Sequence, residues 1–169
     1  LAYFRDSWAE DATLLMTKCS PYGGFLLNEY REANDRHYIN VAHDDPDANT
    51  FSFVIDGAVV PHASGYDNPK RTANHNTWLV NGRGQLGEGG GWMQPVDMDM
   101  REMAYPTAWV LMDNGRAAVE GEAAGAYPDL TRYRRTVAWL PGDYVLMLDD
   151  LAADGEAVLA WNAVAEKGA

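Results

Sequence analysis

Short apolar runs separated by turn-forming residues dominate this chain, and long helical periodicity is scarce. Apolar runs bounded by Gly, Pro, Asn and Asp are the pattern of strands joined by tight turns. "ATLLMTKC" (Ala12–Cys19) predicts a strand, stopped by Ser20-Pro21 and Gly23-Gly24. "TFSFVIDG" (Thr50–Gly57) predicts a strand running into an Asp56-Gly57 turn, and "AVVPHA" from Ala58 returns at hairpin spacing. "TWLVNGRGQ" (Thr77–Gln85) predicts a strand followed by an Asn81-Gly82 turn. "AWVLMDN" and "RAAVEGEA" predict a hairpin around Asn114-Gly115. Leu130–Leu151 predicts two strands joined at Pro141-Gly142, and "EAVLAWNAV" from Glu156 predicts a last one. The single helix candidate is Phe25–Asp35. About eight or nine strands at this spacing imply an all-β fold, an antiparallel β-sandwich forming one domain over residues 1–169.

Composition narrows the function classes. The net charge of -12 argues against nucleic acid and anionic membrane surfaces as partners. It leaves room for an anionic substrate, because a local basic pocket can override the global field. With one cysteine, Cys19, the chain can form no internal disulfide and no cysteine-based zinc site, so any metal must be held by His, Asp or Glu. No apolar run approaches the roughly 20 residues that span a bilayer. The opening "LAYFRDSWAEDATLLM" lacks an initiator Met and a signal peptide and reads like the interior of a longer protein. A fragment is therefore the expectation. "GEGGGW" (Gly87–Trp92) has no lysine and no strand-loop-helix setting, so it is expected to be a mobile surface loop rather than a phosphate cradle.

One polar constellation stands out. His43, Asp45 and Asp47 alternate, and in extended chain alternate residues share a face. The hairpin after Asp56-Gly57 should return His62 beside Asp45, and His75 opens the next strand. Asp45, His62 and His75 thus make a candidate metal set, suited to zinc with manganese as the alternative. Asp44 and Asp47 are expected to cap turns. Tyr66, Lys70 and Arg71 at the same end form a rim suited to a uronate carboxylate. The same residues would equally serve as ordinary loop and surface groups, and the pattern leaves both readings open. In "TRYRRT", Arg132 and Arg134 share one face and Arg135 takes the other, which predicts an exposed sheet face offsetting nearby acid.

The run "AHDDPDANTFSFVIDGAVVPHASGY…NHNTWLVNGRGQ" resembles the heparinase II/III-like family of bacterial polysaccharide lyases, which includes alginate lyases. "YFRDSWAEDATLLMTKCSPYGG" and "RYRRTVAWLPGDYVLMLDDL" resemble earlier and later parts of its sandwich. The resemblance implies a supersandwich-like domain that packs against an N-terminal helical toroid, with the cleft between them. It implies that His43 neutralises the substrate carboxylate or acts as base, that Asp47 matches the family aspartate, and that His75 is a metal ligand. Tyr66, Arg71 and Asn76 are the substrate-binding residues expected. Asp45 stands where a metal-binding His is common, and Ala63 where an Asp is usual. If His62 replaces that Asp, the site keeps two imidazoles and one carboxylate. The toroid and its acid tyrosine are absent from this chain, so the piece alone is expected to be inactive.

The function implied is β-elimination of a uronate-containing polysaccharide, with alginate as the first expectation and a periplasmic or secreted location. The partners implied are an acidic polysaccharide and the helical domain of the same protein. The alternative is a non-catalytic carbohydrate-binding or metal-stapled module in which Trp78, Trp92 and Trp109 stack on sugars.

Overall fold

The computed structural model of the chain describes residues 1–60, 69–142 and 144–162. Its strands are β1 (Ala2–Arg5), β2 (Leu14–Lys18), β3 (Tyr38–Ile39), β4 (Thr50–Ile55), β5 (Ala58–Val59), β6 (Trp78–Val80), β7 (Gln94–Pro95), β8 (Tyr105–Leu111), β9 (Ala117–Glu122), β10 (Leu130–Leu140), β11 (Tyr144–Ala153) and β12 (Ala157–Leu159). Helix α1 covers Gly24–Ala33. The strands form two antiparallel sheets, β1-β2-β4-β5 and β11-β10-β9-β8, with small ribbons β12-β6 and β3-β7 at the side.

Alternation along the strands sets the layers. Leu15 of β2 and Phe51 and Phe53 of β4 meet Ala117 of β9 and Val137 and Trp139 of β10. Burying these side chains contributes roughly 1.5–3 kcal/mol for each large one. A second apolar cluster, built around Ile39, Val41, Val80, Met100, Met103, Tyr127 and Tyr133, lies under the connecting segments. Two predicted turns have the backbone that Asp-Gly and Asn-Gly hairpins require. Asp56 and Gly57 have φ of 51° and 76°, and Asn81 and Gly82 have 52° and 70°.

Strand β10 divides the three arginines. Arg132 and Arg134 face solvent and pair with Asp150 and Glu122, as an exposed acid-balanced face requires. Arg135 points inward in register with Tyr133, Val137 and Trp139 and is buried, so the exposed-face expectation does not extend to it. Its guanidinium grips both oxygens of Asp149 at 2.7 Å and donates to the carbonyls of Asn49 and Asn76 at 2.6 and 2.8 Å. Asp149 also accepts from the Trp78 indole at 2.8 Å. Opposite charge and four donated hydrogen bonds make this inward position tolerable.

Helix α1 is real but buries a polar face. Asn28 donates to the carbonyls of Tyr22 and Gly24, and Arg31 lies 4.3 Å over the Tyr38 ring, while Leu26 is exposed. That inversion is why its apolar periodicity is faint.

Candidate functional site

The segment between β3 and β4 carries the polar constellation, and it is turned rather than extended. Asp44 N–H donates to Asn40 O at 3.3 Å, Asp47 N–H to Asp45 O at 2.9 Å, and Thr50 N–H to Asp47 O at 3.0 Å. Asn49 has φ 57°. His43, Asp45 and Asp47 therefore do not share the face of an extended strand. Consecutive turns aim these side chains instead.

Three chain segments nevertheless meet there. The Lys70 ammonium, 5% exposed, donates to Asp45 Oδ1 at 2.9 Å. His75 Nε2 stands 3.8 Å from the same oxygen. Lys18 of β2 pairs with Asp47. Lys18, Asp45, Asp47, Thr50, Ser52 and His75 line a hollow of about 280 Å³. Burial lowers the His75 pKa, and the Asp47 and Asp45 carboxylates oppose that shift. His75 Nδ1 is buried and has no hydrogen-bond partner among the described residues.

The "NGRGQ" motif explains how the loop is held. Gln85 is buried; its Oε1 accepts from Ala48 N–H and its Nε2 donates to Ala48 O, both at 3.0 Å. Gln85 N–H donates to Thr72 Oγ1 at 2.7 Å, and the Glu88 carboxylate accepts from the N–H groups of Thr72 and Gly84. Thr72 begins the 3-10 turn Thr72–Asn74, whose end delivers His75 through a His75 N–H to Thr72 O bond of 3.0 Å. A Cβ at Gly84 would sit 2.2 Å from both Glu88 Oε2 and Thr72 Oγ1, so only glycine fits between them. The motif is thus a clamp between the aspartate loop and the histidine turn. Lys18, Gln85, Glu88 and Arg135 all hold this site without having been singled out for it in the sequence. The polar residues around the apolar strands were the available signal, but their partners are far apart along the chain.

The glycine-rich loop is docked, contrary to the mobile-loop expectation. Gly89 N–H donates to Lys70 O at 2.7 Å, and a Cβ at Gly87 would lie 2.8 Å from Ile39 and 3.0 Å from Val41. The loop ends at Trp92, whose ring centroid lies 4.5 Å from that of His43 with the planes 74° apart. His43 is exposed.

The remaining expected residues divide. Arg71 is exposed at the start of the 3-10 turn. Asn76 is 0% exposed; its amide donates to Phe51 O at 2.8 Å and accepts from Asn162 N–H at 2.7 Å. These bonds make Asn76 a tie between β4 and the segment at Asn162. His62 and Tyr66 lie outside the described residues. Asp45 and His75 come together, but among the described residues no group of three His, Cys, Asp or Glu is placed to hold a metal. Two donors, one already carrying Lys70, fall short of the three or four that a zinc site uses. The described residues alone do not fit the metal.

No protein-family model and no curated protein matches the chain. Solved structures do. A mutant heparan sulfate lyase from Pedobacter heparinus aligns over 96% of this chain with TM-score 0.65 and 20% identity. Heparinase III aligns over 98% with TM-score 0.64 and 15% identity. The chain has the β-sandwich fold of heparinase-type lyases. It spans 22% and 24% of those two chains, about a quarter of their length.

Proposed function

We propose that this chain is the β-sandwich domain of a polysaccharide lyase, and that the whole protein cleaves a uronate-containing polysaccharide by β-elimination. The observation that carries this reading is the alignment of nearly the entire sandwich with heparan sulfate lyase. The site is consistent with it: an exposed imidazole, His43, belongs to the same turned loop as Asp45 and Asp47, which line a hollow together with Lys18 and His75.

Elimination needs the uronate carboxylate neutralised, the C5 proton removed and the leaving glycosidic oxygen protonated. His43 either donates to the carboxylate or takes the proton. Arg71 and Tyr66 contribute to the carboxylate site. The leaving oxygen takes its proton from the helical domain of the whole protein, so the present chain alone is inactive. A periplasmic or secreted location belongs to the same reading.

Alginate, the first expectation, draws no support from the neighbours, which are heparan sulfate lyase and heparinases. Lys18 and Lys70 are already engaged by Asp47 and Asp45, which favours a lightly sulfated or unsulfated uronate chain. Zinc, or manganese, at Asp45, His62 and His75 would need His62 as its third donor. Metal analysis of chelator-free full-length protein tests it: about one equivalent, lost in His75→Ala, is expected if the ion is resident. Metal-free protein of full activity would reject the ion.

The reaction is tested by absorbance of the unsaturated product, using full-length protein on alginate, unsulfated heparosan-type polymer and heparan sulfate. His43→Ala is expected to lower kcat by roughly 100-fold or more. Equal rates would remove His43 from the chemistry. No turnover on any uronate polymer would leave a carbohydrate-binding module.

A further inference from the structure

We infer that Trp92 is a sugar-stacking wall of the site, packing the apolar face of a uronate ring and turning its carboxylate towards His43. This deepens the lyase reading and rests on it for the identity of the sugar.

The indole is 64% exposed, although tryptophan is normally largely buried. It is also not loosely placed. Gly87 and Gly89 take left-handed backbone, with φ of 81° and 69°, which a side chain there would disfavour. Gly87 packs directly on Ile39 and Val41, the residues that lead into the His43 turn. Gly89 is bonded to Lys70 O, and Lys70 in turn holds Asp45. At Gly90 a Cβ would sit 1.9 Å from the Gln94 amide, so Gln94 braces the loop against bare backbone. Both partners of the His43–Trp92 contact therefore stand on segments that meet at Ile39 and Val41 through Gly87.

That arrangement matches the chemistry of an acidic sugar. A pyranose ring presents axial C–H groups on one face, and these pack against the negative face of an indole. Its carboxylate needs a donor within hydrogen-bond reach, and an imidazole N–H supplies one. A rigid aromatic ring beside a polar group costs little ordering on binding.

The experiment uses full-length protein with Trp92→Ala, Trp92→Phe and, as a neighbouring exposed control, Met93→Ala. Kinetics on the best uronate polymer give one arm. Calorimetric titration with an unsulfated uronate hexasaccharide gives the other, and it does not depend on turnover. Trp92→Ala is expected to raise KM and weaken hexasaccharide binding by roughly five- to tenfold, with kcat changed less than about twofold. Trp92→Phe should recover most of the loss and Met93→Ala should match wild type. Unchanged KM and unchanged affinity in Trp92→Ala overturn the stacking role while leaving the lyase reading intact. Loss of hexasaccharide affinity in Trp92→Ala without turnover by any form supports the stacking role and rejects the lyase. Absence of binding by wild type overturns the inference.

Discussion

Lys70 reaches Asp45 from a position 5% exposed to solvent, with 2.9 Å between Nζ and Oδ1. A buried ammonium in the loop before His75 thus ties that loop to the aspartate turn two strands away. Its backbone carbonyl simultaneously anchors the glycine-rich loop through Gly89. One residue joins the three loops that make the candidate site.

Replacing this lysine removes the tie and leaves the Asp45 charge without its closest cation. Lys70→Met is expected to destabilise the fold by about 1–3 kcal/mol, below the range for a fully buried pair because Asp45 keeps contact with water. The denaturant midpoint checks it. A change smaller than about 0.5 kcal/mol, the scale of an ordinary surface substitution, would show that the ion pair holds nothing.

Arg135 carries a heavier structural role. Arg135→Met strips Asp149 of its bidentate partner and leaves the carbonyls of Asn49 and Asn76 without their shared donor. The expected cost is about 3–5 kcal/mol. Arg135→Met with Asp149→Leu should be less damaging than the arginine change alone, because the stranded charge goes with it. Additive losses in the double variant would argue against a coupled pair.

Burial pushes the Cys19 thiol up to about 12, and the thiol donates to the carbonyls of Tyr105 and Glu122. The thiolate is therefore nearly absent at pH 8, where an unfolded cysteine titrates near 8.5. Alkylation of native protein at pH 8 should be at least roughly 100-fold slower than alkylation in denaturant. Because the folded value is raised, the associated stability is present below the unfolded value and is lost as pH rises from there towards about 12. Equal alkylation rates in the folded and unfolded protein would contradict the burial.

Gly84→Ala drives a methyl into the Glu88 and Thr72 contacts and should cost about 1–3 kcal/mol. Gly91→Ala, with open space around it, should stay within about 0.5 kcal/mol. Thermal denaturation of both variants distinguishes a true clamp from a loop that gives way.

The strand pattern was readable because burial alternates with a period of two in β2, β4 and β10, and because Asp56-Gly57 and Asn81-Gly82 are turn residues by local chemistry. Very short strands such as β3 and β7 carry too few residues to show a period. The candidate site was legible only in its parts. His43, Asp45, Lys70, Arg71 and His75 drew notice by type. The geometry offered for the aspartate loop failed because turns replaced the extended chain, and Asn76 proved to be committed to Phe51 and Asn162.

Local patterning by itself determined an all-β chain with its main hairpins, since alternation and turn propensity act between near neighbours. Only the tertiary structure decided that Arg135 enters the core, that the glycine loop is docked, and that Lys70 rather than another group sits on Asp45. Those outcomes depend on which partner a charge or a bare backbone meets across tens of residues, and buried polar groups adopt whichever arrangement satisfies them.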